Sequence, residues 1–178
     1  MREKDRLYVT LYARGGAPTM PGKEDTYHWA LLVGPKVETP EKKGVRYHAK
    51  EMPGLVGGSQ WELEEQECRL AATSMLLVRV MIGKIKDRGR LVEILRKTPI
   101  RQGEAGWNCV SWVKEALETS SIDGKALGTR VIEWGKVRNG VMEYCQSKKD
   151  QHRFDGQGNF DMSKAPTYDL IERKEIMV

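Results

Sequence analysis

Long apolar runs are missing from this 178-residue chain. The greasiest stretch, Ala71 to Ile85, is interrupted by Arg79 and Lys84, whereas a membrane-spanning helix needs about 20 consecutive apolar residues. Cysteine is scarce too. Cys68, Cys109 and Cys145 are odd in number and lack a CxxC spacing, which argues against both a disulfide framework and a structural zinc site. The segment Met1 to Arg6 passes from charge straight into a strand pattern, without the apolar core and small-residue cleavage site of a secretory leader, so a cytoplasmic setting is expected. RNP aromatics, zinc-finger spacing and a Gly-rich phosphate loop are all lacking, and nucleic acid is not an expected partner. Aromatic residues are few at 7%, but five Trp, six Tyr and two Phe, with 39% hydrophobic residues overall, are enough to exclude wholesale disorder.

What is present fits one domain over residues 1–178, with a polar, Gly-containing C-terminal extension from about Lys148. The net charge is +5, and seven Lys or Arg lie between Lys84 and Arg101 against Asp87 and Glu93. A solvated helix face is the plain reading of that cluster; attraction of phosphate or of an acidic partner is the alternative.

Alternation and turn residues predict strands at Leu7 to Ala13, His28 to Gly34, Val45 to Lys50 and Trp61 to Cys68, with Met75 to Ile82 as the central strand. The run from His28 to Gly34 is nearly all apolar, as in a strand buried on both faces. In the next strand Arg46, His48 and Lys50 share a face. Asp87 reads as the N-cap of a helix through Lys97, with Leu91, Ile94 and Leu95 on one stripe. A second helix is predicted over Trp107 to Glu118, a third over Arg130 to Ser147, and a short strand near Leu170 to Val178. The class is α+β with antiparallel strands.

Gly106-Trp107-Asn108-Cys109-Val110-Ser111 places a cysteine in the first turn of an amphipathic helix. Unpaired N–H groups at a helix start favour an anion, so the thiol's pKa is expected to fall and the thiolate to be favoured. The same groups can hold an oxyanion. A thiol nucleophile needs a base oriented by a third polar group; His28 opens one strand and His48 sits on its expected partner, so the two imidazoles can converge at one sheet edge. A buried, inert Cys109 and two surface histidines are the bland alternative.

Three segments resemble the circularly permuted papain-like proteins, a group that includes the lecithin:retinol acyltransferase-like enzymes, permuted NlpC-type hydrolases and PPPDE isopeptidases. Tyr27-His28-Trp29-Ala30-Leu31-Leu32-Val33-Gly34 is similar to their strand that starts at the base histidine. Tyr47-His48 is similar to the next strand, and Asn108-Cys109 to the pair that opens the nucleophile helix. The order, histidines before cysteine, also matches. The chain departs from the acyltransferase-like members after Cys109, where Val110-Ser111-Trp112 replaces Glu-His-Phe, and in the longer interval between the histidines. The stretch from Asp87 to Ile100 reads as an insert.

The resemblance implies a permuted papain-like (NlpC-type) fold, with a central antiparallel sheet packed against the nucleophile-bearing helix. It also implies a cysteine-dependent hydrolase or acyltransferase acting on an ester, thioester or amide carbonyl. Cys109 would be the nucleophile, His28 the base and His48 the residue that orients it, with an acyl-thioester intermediate. Asn108 and Tyr27 are candidate oxyanion donors; Trp29, Trp107 and Trp112 are candidate cleft walls. The substrate class is a small-molecule, lipid or peptide acyl compound, with no cofactor. A metal bound by His28, His48 and Cys109 is not expected, because no close pair such as HxxxH supports it. A catalytically silent interaction module on the same scaffold and a basic nucleic-acid-binding domain are the alternatives.

Overall fold

The computed structural model describes residues 4–39, 41–73 and 75–178. Its frame is a sheet built from β1 (Arg6–Ala13), β2 (Tyr27–Gly34), β3 (Lys43–Pro53), β4 (Ser59–Arg69), β5 (Leu76–Ile85), β6 (Leu127–Arg130), β7 (Thr167–Asp169) and β8 (Lys174–Met177). The strand order is β4-β3-β2-β1-β5-β7-β8, with β6 pairing β5 off this path. Among the described residues, the pairings between these strands are antiparallel except β5 with β7. The predicted central strand is therefore central, and the mixed α+β class holds.

Three helices cover one face: α1 (Arg88–Lys97), α2 (Cys109–Asp123) and α3 (Trp134–Asp150). Period-two alternation sends Leu7, Val9 and Leu11 of β1, Trp29, Leu31 and Val33 of β2, and Val78, Val80 and Ile82 of β5 into the core. There they meet Leu91 and Leu95 of α1, Trp112, Val113 and Leu117 of α2, and Val137 and Val141 of α3. The other face carries a smaller cluster of Tyr8, Leu32, Leu70 and Met81. Beside it is the fully buried Arg79, whose guanidinium donates to Thr167 Oγ1 at 3.2 Å and Leu70 O at 3.2 Å and pairs with Glu38.

Local chemistry explains the boundaries, including those that differ from expectation. Asp87 accepts a hydrogen bond from Arg90 N and caps α1 as predicted. The second helix starts at Cys109 rather than Trp107, because Gly106 takes a positive φ of 76° and Asn108 is still extended. The third starts at Trp134 rather than Arg130: Leu127–Arg130 is used as β6, paired with β5. Near the C-terminus there are two strands instead of one, with Leu170 between them. The polar segment from Lys148 does not trail as an extension, since β7 adds to the sheet beside β5 and Lys148 and Arg153 are both buried.

The basic stretch from Lys84 to Arg101 is largely neutralised in place. Arg88 pairs with Asp5, Arg90 with Asp123, Arg96 with Glu65, Lys97 with Glu93, and Arg101 with Glu115. Among the described residues, no helix is long and apolar enough to cross a membrane.

Candidate functional site

Cys109 is the first residue of α2, and the cap in front of it is complete. Asn108 Oδ1 accepts from Val110 N at 3.0 Å and Ser111 N at 3.3 Å, and Ser111 Oγ accepts in return from Asn108 N at 3.2 Å. This capping box satisfies N–H groups that a helix start would otherwise leave without partners. It fixes the direction in which the Cys109 side chain leaves the helix. The thiol lies against β2, where the backbone N–H of Trp29 points at it.

The expected fall in the thiol's pKa does not occur. Cys109 is 1% exposed, and burial pushes its thiol up. The Trp29, Val110 and Cys109 N–H groups and the charge of Arg14 act downward, but loss of water around a would-be thiolate outweighs them. At rest Cys109 is a neutral thiol.

His28 sits where β2 parts from β3. Along β1 the strand is paired from its first residue, with Tyr12 opposite His28, whereas its pairing with β3 begins only at Leu31 opposite Tyr47. In this opening the two imidazoles meet edge to face, with His28 Nε2 2.6 Å from His48 Nδ1. Their face of the sheet also carries Tyr12 and Arg46, whose guanidinium lies 5.2 Å from the Tyr12 ring centre. Cys109 reaches the same end of β2 from the helix side, next to the peptide that joins His28 to Trp29. Arg14 acts electrostatically on both His28 and Cys109. Among the described residues, no hydrogen bond links Cys109 to either imidazole.

The relay continues to a residue that sequence reasoning missed. His48 Nε2 is 2.9 Å from Glu64 Oε1, and Glu64 stands directly opposite His48 in the β3–β4 register. Arg46 Nη2 donates to the same oxygen at 3.3 Å, and Lys50 Nζ donates to Oε2 at 3.1 Å. The hydrogen bond from His48 is the main cause holding Glu64 down at about 2, with Lys50 adding to it. Burial lowers His48 despite the carboxylate beside it. His28 falls to about 3, chiefly through burial, then through His48 and Arg46. The arrangement at neutral pH is two neutral imidazoles ending on an ionised carboxylate. A signal for Glu64 was available: Arg46, His48 and Lys50 alternate on one strand and Glu62, Glu64 and Gln66 on the next, about a Gly-rich turn.

The flanking candidates divide. Tyr27 lies on the core side and turns its hydroxyl to Cys145 of α3, not to Cys109. Asn108 spends Oδ1 on the cap and directs Nδ2 at Met20 Sδ, 3.4 Å away. Trp29 and Trp112 are fully buried core residues rather than cleft walls, and Trp29 Nε1 donates to Glu24 O at 2.8 Å. Trp107 is half-buried, packs edge to face on Trp61, and lines a groove of about 410 Å³ with Met20, Gly106, Val110, Ser111 and Trp134. A larger cavity of about 610 Å³ between α3 and the β7–β8 turn holds none of these site residues; the smaller groove lies at the start of α2, and neither Cys109 nor the two histidines line it. Among the described residues, no group of three or more His, Cys, Asp or Glu could hold a metal ion.

A family model, that of a family of unknown function (DUF6914), matches residues 4–177. No curated protein and no solved structure matches the chain.

Proposed function

We propose that this chain, which by that match belongs to the DUF6914 family, is a thiol hydrolase or acyltransferase with Cys109 as nucleophile, His28 as base and His48 as orienting residue. The observation that carries the reading is the 2.6 Å hydrogen bond between His28 Nε2 and His48 Nδ1 at the end of β2, where the first turn of α2 brings Cys109 against the Trp29 N–H. Nucleophile, base and orienter are the parts a triad needs, and such triads are identified by geometry and roles.

The protonation states support a general-base route over a resting thiolate–imidazolium pair. Cys109 is held as a thiol and His28 as a neutral ring. As Sγ bonds to the carbonyl carbon, its proton passes to His28 and the carbonyl electron pair moves to oxygen. The resulting oxyanion is met by the Cys109 N–H at the helix start. Collapse expels the alcohol, thiol or amine, which takes the proton from His28 and leaves an acyl-thioester. Water then resolves that ester in hydrolysis, and an alcohol or amine does so in transfer.

The test is substoichiometric iodoacetamide at pH 6 to 7 followed by peptide mapping. Selective alkylation of Cys109 over Cys68 and Cys145, lost in His28→Ala, is expected. Slow and equal reaction of all three thiols, indifferent to His28, would overturn the assignment. That outcome would favour the second reading, a silent binding module on the same scaffold, to which the near-complete burial of Cys109 lends weight.

A further inference from the structure

Glu64 decides where the protons sit on both histidines. An ionised carboxylate has no hydrogen to give and only accepts, so His48 Nε2, 2.9 Å from Glu64 Oε1, carries a hydrogen. A neutral imidazole has one N–H, which leaves His48 Nδ1 as an acceptor. That atom lies 2.6 Å from His28 Nε2, which is therefore the donor of the bond between the rings. His28, likewise neutral, then has a bare lone pair at Nδ1. We infer that Glu64 is a positioning residue of the thiol chemistry: through His48 it locks His28 in the tautomer whose Nδ1 can take the Cys109 proton. Its catalytic meaning rests on the proposed role of Cys109; the tautomers rest on the hydrogen bonds alone.

The carboxylate is fixed well enough to do this. It faces His48 across the β3–β4 ladder, and Arg46 and Lys50 hold one oxygen each. Arg46 Nη2 is itself held by Gln66 Oε1 at 2.7 Å. An amide at this position cannot satisfy all these donors. Because His48 and Arg46 both donate to Oε1, a Gln keeps its oxygen there and turns its NH₂ towards the exposed Lys50, which can move away, so the His48 tautomer survives that change. Glu64→Leu removes the acceptor altogether and leaves Arg46 and Lys50 as the donors nearest His48 Nε2. With nothing to hold a hydrogen on His48 Nε2, the ring takes the Nδ1–H form and His28 must accept at Nε2, so the hydrogen of His28 moves to Nδ1, where it blocks proton uptake.

Long-range ¹H–¹⁵N spectra of histidine-labelled protein read the tautomers directly, and timed iodoacetamide labelling at pH 7 reads the thiol. Wild type is expected to carry its hydrogen on Nε2 of both His28 and His48. Glu64→Leu is expected to move both to Nδ1 and to slow Cys109 alkylation by about 10²- to 10⁴-fold, whereas Glu64→Gln is expected to keep the wild-type tautomers. Glu64→Asp, which keeps the carboxylate, is expected to restore the wild-type tautomers and most of the rate. A residue that only balanced Arg46 and Lys50 would leave the His28 tautomer unchanged in Glu64→Leu, and that result overturns the inference. So does a wild-type spectrum with His28 protonated at Nδ1, a measurement that needs no variant to fold. Failure of the thiol reading shows separately, as slow, His28-independent labelling in wild type with both tautomers as drawn; this removes the catalytic role of Glu64 while leaving its control of the histidine pair.

Discussion

Replacing Asn108 separates the two jobs of the α2 start, holding the helix and exposing the sulfur to its field. Asn108→Ala removes the acceptor for Val110 N and Ser111 N, bonded at 3.0 and 3.3 Å, and the box closed by Ser111 Oγ. Asn108 is largely buried, at 9% exposure, so water replaces the lost partner poorly. Loss of such a cap costs about 1–2 kcal/mol, and in a chain of this size each kcal/mol moves Tm by about 2–4 °C. The expected fall is therefore about 2–8 °C. Asn108→Asp should keep the wild-type melt, because Asp caps as well as Asn and its charge suits a helix N-terminus. The same charge lies one residue from Cys109 and disfavours the thiolate, so alkylation of Cys109 should slow and shift to higher pH. Circular-dichroism melts and peptide-mapped labelling of the three proteins give both readouts. An Ala variant that melts like wild type would refute the capping argument. An Asp variant whose Cys109 reacts as fast as wild type would show that the sulfur does not sense the helix start.

Acid should weaken the fold through His28. Its folded pKa, about 3, lies below the ordinary value of 6.5, so between those limits the unfolded chain binds more protons and stability falls as pH falls. Glu64, held at about 2 against 4.5, acts in the same direction at the lower end of that window. Urea midpoints at pH 7.5 and 5 should therefore differ less in His28→Gln than in wild type, and equal differences would refute the assignment. The paired cations between Lys84 and Arg101 lead to a further expectation: fluorescence anisotropy with a 20-nucleotide DNA at 50 mM salt should detect no micromolar binding, whereas micromolar binding with a steep salt slope would revive the basic-patch reading.

Several parts of this molecule were legible in residue order because their causes are local. Aromatic and branched residues marked β1, a continuous apolar run marked β2 and alternation marked β3, the Asp87 cap marked α1, and Asn108-Cys109 marked a helix that starts with a thiol. Even the meeting of His28 and His48 follows from two adjacent strands of an antiparallel sheet. The β6 pairing, the later start of α3 and the return of the C-terminal segment as β7 and β8 depend on which edge of β5 was free, and a local pattern carries no record of that. Glu64 is intermediate: its alternation was visible, but only the register of the long β3–β4 hairpin sets it opposite His48. The thiol's protonation was beyond local reasoning. A helix start lowers a cysteine's pKa and burial raises it, and the balance is set by how tightly β2 and α2 close over Cys109, which only the packed structure decides.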